Sequence, residues 1–492
     1  MLFNSFTYLL FLPLVVALHW VLPARFRRIL LLVASYVFYM NWMPTYGLLI
    51  LGLTVTNYFF GRAISAAQSK RKAILIAGLL FNLGCLCFFK YANFLIGTFW
   101  QTATAAHHLT GFPMLIGAQS PALNIILPLG ISFFVFEFIH YIVDVYRGSE
   151  PLTNFWHFAL FAAFFPSQIA GPIKRFQDFN QQLHTENRFS SEKFREGIGL
   201  ILLGLYKKIA LGDNIGHIVN IGFTHPLEMG TVDAWIAAIG FTFQIYLDFS
   251  GYTDIGRGSA LLLGYKIPAN FNWPFLAASL NDFWRRWHIS LSTWLRDYLF
   301  IPMGGSRVSS WKLKRNLFIT MALGGLWHGA DWHYVIWGAF HGAGLMLTKD
   351  WLDLVEKTAW LNKYRTSRVW HWTGVACTFV FLIFAGVVFR AEDVPKALTV
   401  AGRMFHLAAS SHVTESILVS TLPVSISLYL AYLLISKLSE KDAATKVATV
   451  LLPVRNWFHT SVPARVACYA CLSMVILSFA PEDVAPFIYF QF

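Results

Sequence analysis

The chain has 492 residues, of which 56% are hydrophobic and 13% charged, and its mean hydropathy is +0.54. Soluble domains carry about 25% charged residues, so a water-soluble fold of this size is excluded; the unbroken apolar runs also exclude a β-barrel, whose strands alternate apolar and polar residues. The formal net charge of +13 would suit nucleic acid in a soluble protein, but the basic residues pool in short loops between apolar segments, as the positive-inside rule describes, and no nucleic-acid partner is expected.

Asn4 to Leu22 is apolar, and its basic residues, Arg25, Arg27 and Arg28, come after it. A cleaved signal peptide has its charges in front, so this is an uncleaved first span with its N-terminus outside. Ile29 to Met40 returns outward, Asn41 to Pro44 forms an external turn, and Tyr46 to Phe60 comes back to a loop holding Arg62, Lys70, Arg71 and Lys72. Three consecutive segments obey one orientation.

Ala73 to Phe89 and Ile125 to Tyr146 are two further spans, separated by a polar, Gly/Pro-rich loop from His107 to Pro121. In the second, Glu137, His140 and Asp144 follow i, i+3 and i+7 spacing and share one helix face. Such residues are either a structural lock between helices or part of a functional path. Phe155 to Ile169 breaks at Pro166 and leads into GPIKRFQDF (Gly171 to Phe179), an interfacial elbow. Ser190, Ser191 and Glu192 open an amphipathic helix, and Trp235 to Phe249 is a long apolar run ended by Ser250-Gly251. Further spans are expected at Val369 to Phe389, Ile417 to Ile435 and Val466 to Phe479. At roughly 20 apolar residues per crossing, the expectation is an all-α polytopic membrane protein with about ten to twelve membrane-embedded helices in one domain. Cys85, Cys87, Cys377, Cys468 and Cys471 all lie in hydrophobic runs and read as packing residues rather than a disulfide or zinc framework.

Asn281 to Leu347 departs from this pattern. Its first part interleaves Trp284, Trp287 and Trp294 with Arg285, Arg286, Arg296 and Asp297, as a helix lying in the interface would. His288 is the residue there able to exchange a proton near neutral pH. The loop Ile301 to Arg315 adds four cations and a Gly-Gly turn without a Walker pattern. The apolar run from Asn316 to Leu347 then sets His328 among small residues, Gly324-Gly325 before it and Gly329-Ala330 after it. Small residues allow close backbone approach, and a histidine in such a run needs partners or a water-filled path. His333 and His341 read as satisfied core residues. The spacing of the three histidines lacks the i, i+4 pattern of a helical metal pair, and no metal is expected.

FWRRWHISLSTWLRDYLFIPMGG followed by GGLWHGADWHYVIWGAFHG closely resembles the membrane-bound O-acyltransferase family. The resemblance extends to LLLVASYVFYMNW, GPIKRFQDF, VVFRAEDVPKAL and FIYFQF, and the length and ending are most similar to its bacterial alginate O-acetyltransferase branch. It implies one bundle over residues 1–492 around a central tunnel, with a core at about 125–390 and extra helices at about 391–492. It also implies acyl transfer from a thioester donor to a hydroxyl, with His328 as general base and His288 assisting. Acetyl-CoA is the implied donor, its phosphates candidates for Arg175, Arg307 and Arg315 on cytoplasmic loops. The implied setting is the bacterial inner membrane, with a periplasmic SGNH-hydrolase-like acetyltransferase or a polysaccharide as acceptor, within an exopolysaccharide secretion complex. Rival readings are transfer from a D-alanyl carrier protein, a transporter using Glu137, His140, Asp144 and His328 as a relay, and a non-catalytic scaffold.

Overall fold

Apolar runs punctuated by Arg, Pro and Gly fold as helices in the computed structural model, which describes residues 1–110, 120–169, 171–185, 187–406, 461–480 and 487–488. No strand occurs among the described residues. The first helices are α1 (Phe6–Val21), α2 (Ala24–Met40), α3 (Thr45–Ala66) and α4 (Arg71–Leu86). Their elbows fall at Pro23 and at Asn41 to Pro44, where proline ends one helix and fixes the entry to the next. Buried Asn57 on α3 and Asn82 on α4 exchange amide hydrogen bonds of 3.0 and 2.7 Å, a polar clasp of the kind that joins membrane helices.

Several expected boundaries differ. The span expected to end at Phe60 runs on to Ala66, so Arg62 lies inside α3, and Arg71 and Lys72 open α4; of the four cations expected in that loop only Lys70 stands outside a helix. The span ending at Phe89 instead continues through a π-turn, Cys87–Tyr91, into α5 (Ala92–Thr110), so His107 to Thr110 is helical and not loop. The span expected from Ile125 starts only at Ile131, because Pro128 precedes it and Gly130 sits in the left-handed region at φ 73°; α6 is Ile131–Tyr146. The aromatic segment breaks at Phe164, between α7 (Phe155–Ala163) and the short α8 (Phe165–Gln168), with Pro166 inside the first turn of α8. Proline is tolerated there because the first-turn N–H groups have no helical partner.

After α9 (Phe176–His184), helix α10 (Ser191–Leu205) begins at Ser190, whose hydroxyl accepts from the Lys193 N–H. A π-turn, Tyr206–Asp213, leads to α11 (Asn214–Thr224) and then to α12 (Thr231–Leu262), 32 residues long. The latter does not stop at Ser250-Gly251. A Cβ on Gly251 would sit 2.7 Å from the Gly204 carbonyl, and one on Gly258 would sit 2.5 Å from that of Gly197. Those glycines serve the crossing of α10 and α12, not termination.

Downstream lie α13 (Leu280–Arg286), α14 (Ile289–Leu295), α15 (Ser310–His328), α16 (Trp332–Lys357), α17 (Ala359–Tyr364), α18 (Arg368–Arg390), α19 (Val394–Arg403) and α20 (Val462–Ser478). The expected span from Ile417 to Ile435 lies outside the described residues. By length and composition α3, the continuous Arg71–Thr110 rod and α18 are each long and apolar enough to cross a membrane, with mean hydropathies of 1.3, 2.0 and 2.2. Large apolar side chains face outward, Phe6 at 74% and Leu48 at 73% exposure among them, and lipid covers such surface without penalty. The chain is an all-α, multi-pass membrane protein.

Candidate active site

The apolar run from Asn316 to Leu347 is a helical hairpin rather than one segment. Helix α15 ends at His328, Gly329 to Asp331 turn the chain, and Asp331 caps α16 by accepting from the His333 N–H at 3.1 Å. The two helices meet at glycine: a Cβ on Gly325 would lie 2.2 Å from the Tyr334 carbonyl, and one on Gly338 would lie 2.3 Å from that of Met321. This close approach brings His328 beside Trp337 on the facing helix.

His328 is buried in an aromatic cage. Its ring centroid lies 4.8 Å from Trp327, 4.9 Å from Trp337 and 5.2 Å from Phe389 on α18. His341 stands on the far side of Trp337, 4.6 Å between those ring centroids. The Trp327 indole is itself fixed by a stack, with Phe136 of α6 between it at 5.5 Å and Trp294 of α14 at 3.9 Å. The Trp294 N–H donates to the Phe136 carbonyl at 3.0 Å.

His288 sits on the other flank of Trp327, 6.1 Å between ring centroids. The single interfacial helix expected from Asn281 to Leu299 is broken at this residue, into α13 and α14. His288 adopts left-handed backbone, φ 41° and ψ 54°, which costs a non-glycine residue and recurs at functional sites. The surroundings enforce it: the Asn272 N–H donates to the Arg286 carbonyl and the Ile289 N–H to that of Asn270, both at 2.9 Å, and the Ser290 hydroxyl bonds the Asn270 side chain at 2.7 Å. The imidazole is fully buried, edge-on to Phe249 at 4.7 Å, and neither ring nitrogen has a hydrogen-bond partner among the described residues. A buried polar group left this way costs free energy unless a ligand or water completes it.

Two cavities approach the cage. One, about 50 Å³, is lined by Thr242, Phe283, Trp287, Trp337, His341 and Phe389 among others. The second, about 450 Å³, is lined by Lys90, Asp331, His333, Tyr334, Arg390 and Glu392 among others. Trp337 and Phe389 line the first and Tyr334 the second, and the Phe389 ring stands 5.2 Å from both Trp337 and Tyr334. His328 lines neither void; it packs against Trp337 and Phe389, which line the smaller one. His341, expected to be a core residue, lines the smaller void; His333 lines the larger and its ring bonds Asp331 at 2.8 Å.

Glu137, His140 and Asp144 share a face, as their spacing requires, but do not form one relay. Glu137 holds Lys174, 2.8 Å from each carboxylate oxygen. Asp144 accepts from Gln177 at 2.9 Å and from the Tyr298 hydroxyl at 2.8 Å. His140 packs among Phe161, Phe176 and Tyr298. This face clamps the GPIKRFQDF elbow onto α6.

The three candidate phosphate-binding arginines stand apart in character. Arg175 is half-buried, 2.5 Å from Asp297 and hydrogen-bonded to Tyr298. Arg307 and Arg315 are exposed, but only Arg307 lies on the expected loop: α15 begins at Ser310, so Arg315 is helical, bonded to neighbouring Asn316 at 3.0 Å. Lys90 was not singled out from the sequence, because a lysine after an apolar run reads as its boundary; the helix passes straight through it. The Lys90 ammonium donates to the carbonyls of Trp327 and of His328, the latter at 3.2 Å.

Residues 146–389 match the profile of the membrane-bound O-acyltransferase family. A protein of Pseudomonas aeruginosa named "Probable alginate O-acetylase AlgI" is 43% identical over 82% of this chain and 74% of its own length. One of the same name from Azotobacter vinelandii is 37% identical over the full length of both. A "Peptidoglycan O-acetyltransferase" of Helicobacter pylori is 34% identical over 78% of this chain and 74% of its own.

Proposed function

The chain belongs to the membrane-bound O-acyltransferase family, and on that premise we propose that it moves acetyl from cytoplasmic acetyl-CoA across the bacterial inner membrane to an extracytoplasmic, alginate-like polysaccharide. The class of enzyme is an O-acyltransferase. The observation that carries the finer reading is the seat of His328: an imidazole at a helix end, caged by three aromatic rings, two of which, Trp337 and Phe389, line a void.

In this reading a hydroxyl oxygen attacks the thioester carbonyl carbon while His328 takes the hydroxyl proton. The new C–O bond forms, the C–S bond breaks, and the proton passes to the departing CoA thiolate. His288, across Trp327, orients the donor or lines its path. Arg175, Arg307 and Arg315 hold the donor phosphates, Arg175 from its network with Asp297 and the other two from the exposed surface. The N-terminus is periplasmic. The acceptor is the polysaccharide itself or a periplasmic SGNH-hydrolase-like acetyltransferase within an exopolysaccharide secretion complex. The fold is one domain whose core spans about 125–390.

The test is His328→Ala, checked for insertion and thermal stability, in cells and in membranes given isotope-labelled acetyl-CoA. The expected result is folded protein and no labelled polymer. Retention of most of the acetylation would overturn the base assignment. Label arriving only from a D-alanyl carrier protein would overturn the donor, and proton-coupled uptake without any acyl donor would favour a transporter.

A further inference from the structure

We propose that Lys90 is a positioning residue for His328; the inference rests on the reading of His328 as the base. A lysine inside an apolar rod is costly unless its charge is answered. The fully buried lysines are answered by carboxylates, Lys174 by Glu137 at 2.8 Å, Lys207 by Asp254 at 2.5 Å, Lys208 by Asp213 at 2.6 Å and by Asp248, whereas Lys90 is half-buried at the edge of the larger void. Lys90 differs. Among the described residues no carboxylate lies within 4.0 Å of its ammonium, and its hydrogen bonds go to the Trp327 and His328 carbonyls.

Those carbonyls need outside donors. A helix leaves its last carbonyls unsatisfied, and the usual remedy is a left-handed glycine that folds the chain back over them. Gly329 does not do this: it is extended, φ −156° and ψ 153°, and its Cα faces the Tyr334 ring, which an added Cβ would meet at 2.0 Å. The turn into α16 therefore forbids the ordinary cap. The rod opposite supplies the donors instead. Its π-turn, Cys87–Tyr91, carries both the Lys90 ammonium and the Tyr91 hydroxyl, which donates to the Leu326 carbonyl at 3.0 Å. Three consecutive carbonyls, 326 to 328, are thus held from one turn, and a cation stands at the negative end of α15. Lys90 also lies 5.7 Å from the centre of the Trp327 ring, the indole between the two histidines. Fixing the backbone of residue 328 fixes the origin of its side chain, and so the aim of the imidazole.

Transfer of labelled acetyl is measured against acetyl-CoA concentration for wild type, Lys90→Met, Lys90→Arg, Asn82→Leu and His328→Ala, each purified and checked for folding. Asn82→Leu weakens the same rod through its clasp with Asn57, far in sequence from α15 and without a hydrogen bond to it. A displaced catalytic group costs on the order of 100-fold per ångström, so Lys90→Met should lose about 10- to 100-fold in kcat with KM within about threefold. Lys90→Arg, which keeps the donors and the charge, should recover most of that loss. Asn82→Leu should lower the melting temperature and leave kcat of the folded fraction within about threefold. Folded Lys90→Met with wild-type kcat, or an equal kcat loss in Asn82→Leu, or no recovery in folded Lys90→Arg, would overturn the proposal. An active His328→Ala would sink the base assignment instead, and the two failures are therefore distinguishable.

Discussion

Gly338→Ala tests whether the α15–α16 crossing sets the aim of His328. The added Cβ would lie 2.3 Å from the Met321 carbonyl, 3.0 Å from Ala322 Cα and 3.0 Å from Gly325 Cα. All three are backbone atoms, so no flexible side chain can swing away, and real Cβ atoms essentially never come closer than 3.0 Å. The helices must part by about 0.7 Å, at a cost of about 1–3 kcal/mol for an overpacked site. The crossing lies one to two turns from His328, so much of that displacement reaches the imidazole. With losses on the order of 100-fold per ångström of misplacement, kcat should fall more than tenfold. The assay pairs thermal unfolding with labelled-acetyl transfer by the purified enzyme. Gly52→Ala is the control: nothing lies within 4 Å of its added Cβ, and alanine in a helix gains up to about 1 kcal/mol over glycine. Gly338→Ala with wild-type melting and kcat would show that the helices do not meet at this point.

Lys174→Met should destabilise by about 3–5 kcal/mol, because it strands the buried Glu137 carboxylate, whereas the double variant Glu137→Leu/Lys174→Met should recover most of that loss; equal melting temperatures for single and double variants would refute the pairing. Asp297 stands at the interfacial turn after α14, where burial works to raise its pKa but hydrogen bonds from Arg296 and Arg175 outweigh it and hold the carboxyl below its ordinary range. A depressed folded value stabilises at every pH above the unfolded value, about 3.9, and the contribution disappears as pH falls through the folded value. The wild-type melting temperature should therefore drop below about pH 4 more steeply than that of Asp297→Asn, and identical profiles would refute the network. His328→Ala and Lys90→Met carry their own outcomes above.

Run length and loop charge were enough to read the class of fold, because each helix buries or exposes a stretch long enough to be recognised locally. Arg368–Arg390 falls close to the expected span from Val369 to Phe389, and Thr45–Ala66 starts where expected but runs on past Phe60. The sequence also marked His328, since a histidine framed by Gly324-Gly325 and Gly329-Ala330 departs from everything around it. The errors came where a residue type has two uses. Gly251 looked like a terminator and is a crossing point, because the Gly204 carbonyl that requires it lies in another helix. Tryptophan and arginine between Asn281 and Leu299 looked like one amphipathic helix, and the bonds from Asn270 and Asn272 that break it at His288 are not local.

Composition and periodicity by themselves determined a helical membrane bundle, its main spans and one unusual imidazole. Tertiary structure alone decided what surrounds that imidazole: His288 across the Trp327 indole, Phe389 from α18 against the ring, and Lys90, 237 residues before Trp327, on its carbonyls. The physical reason is range. Hydrophobic burial selects helices within twenty residues of chain, whereas the orientation of a side chain in a cage depends on contacts between helices that no local pattern encodes.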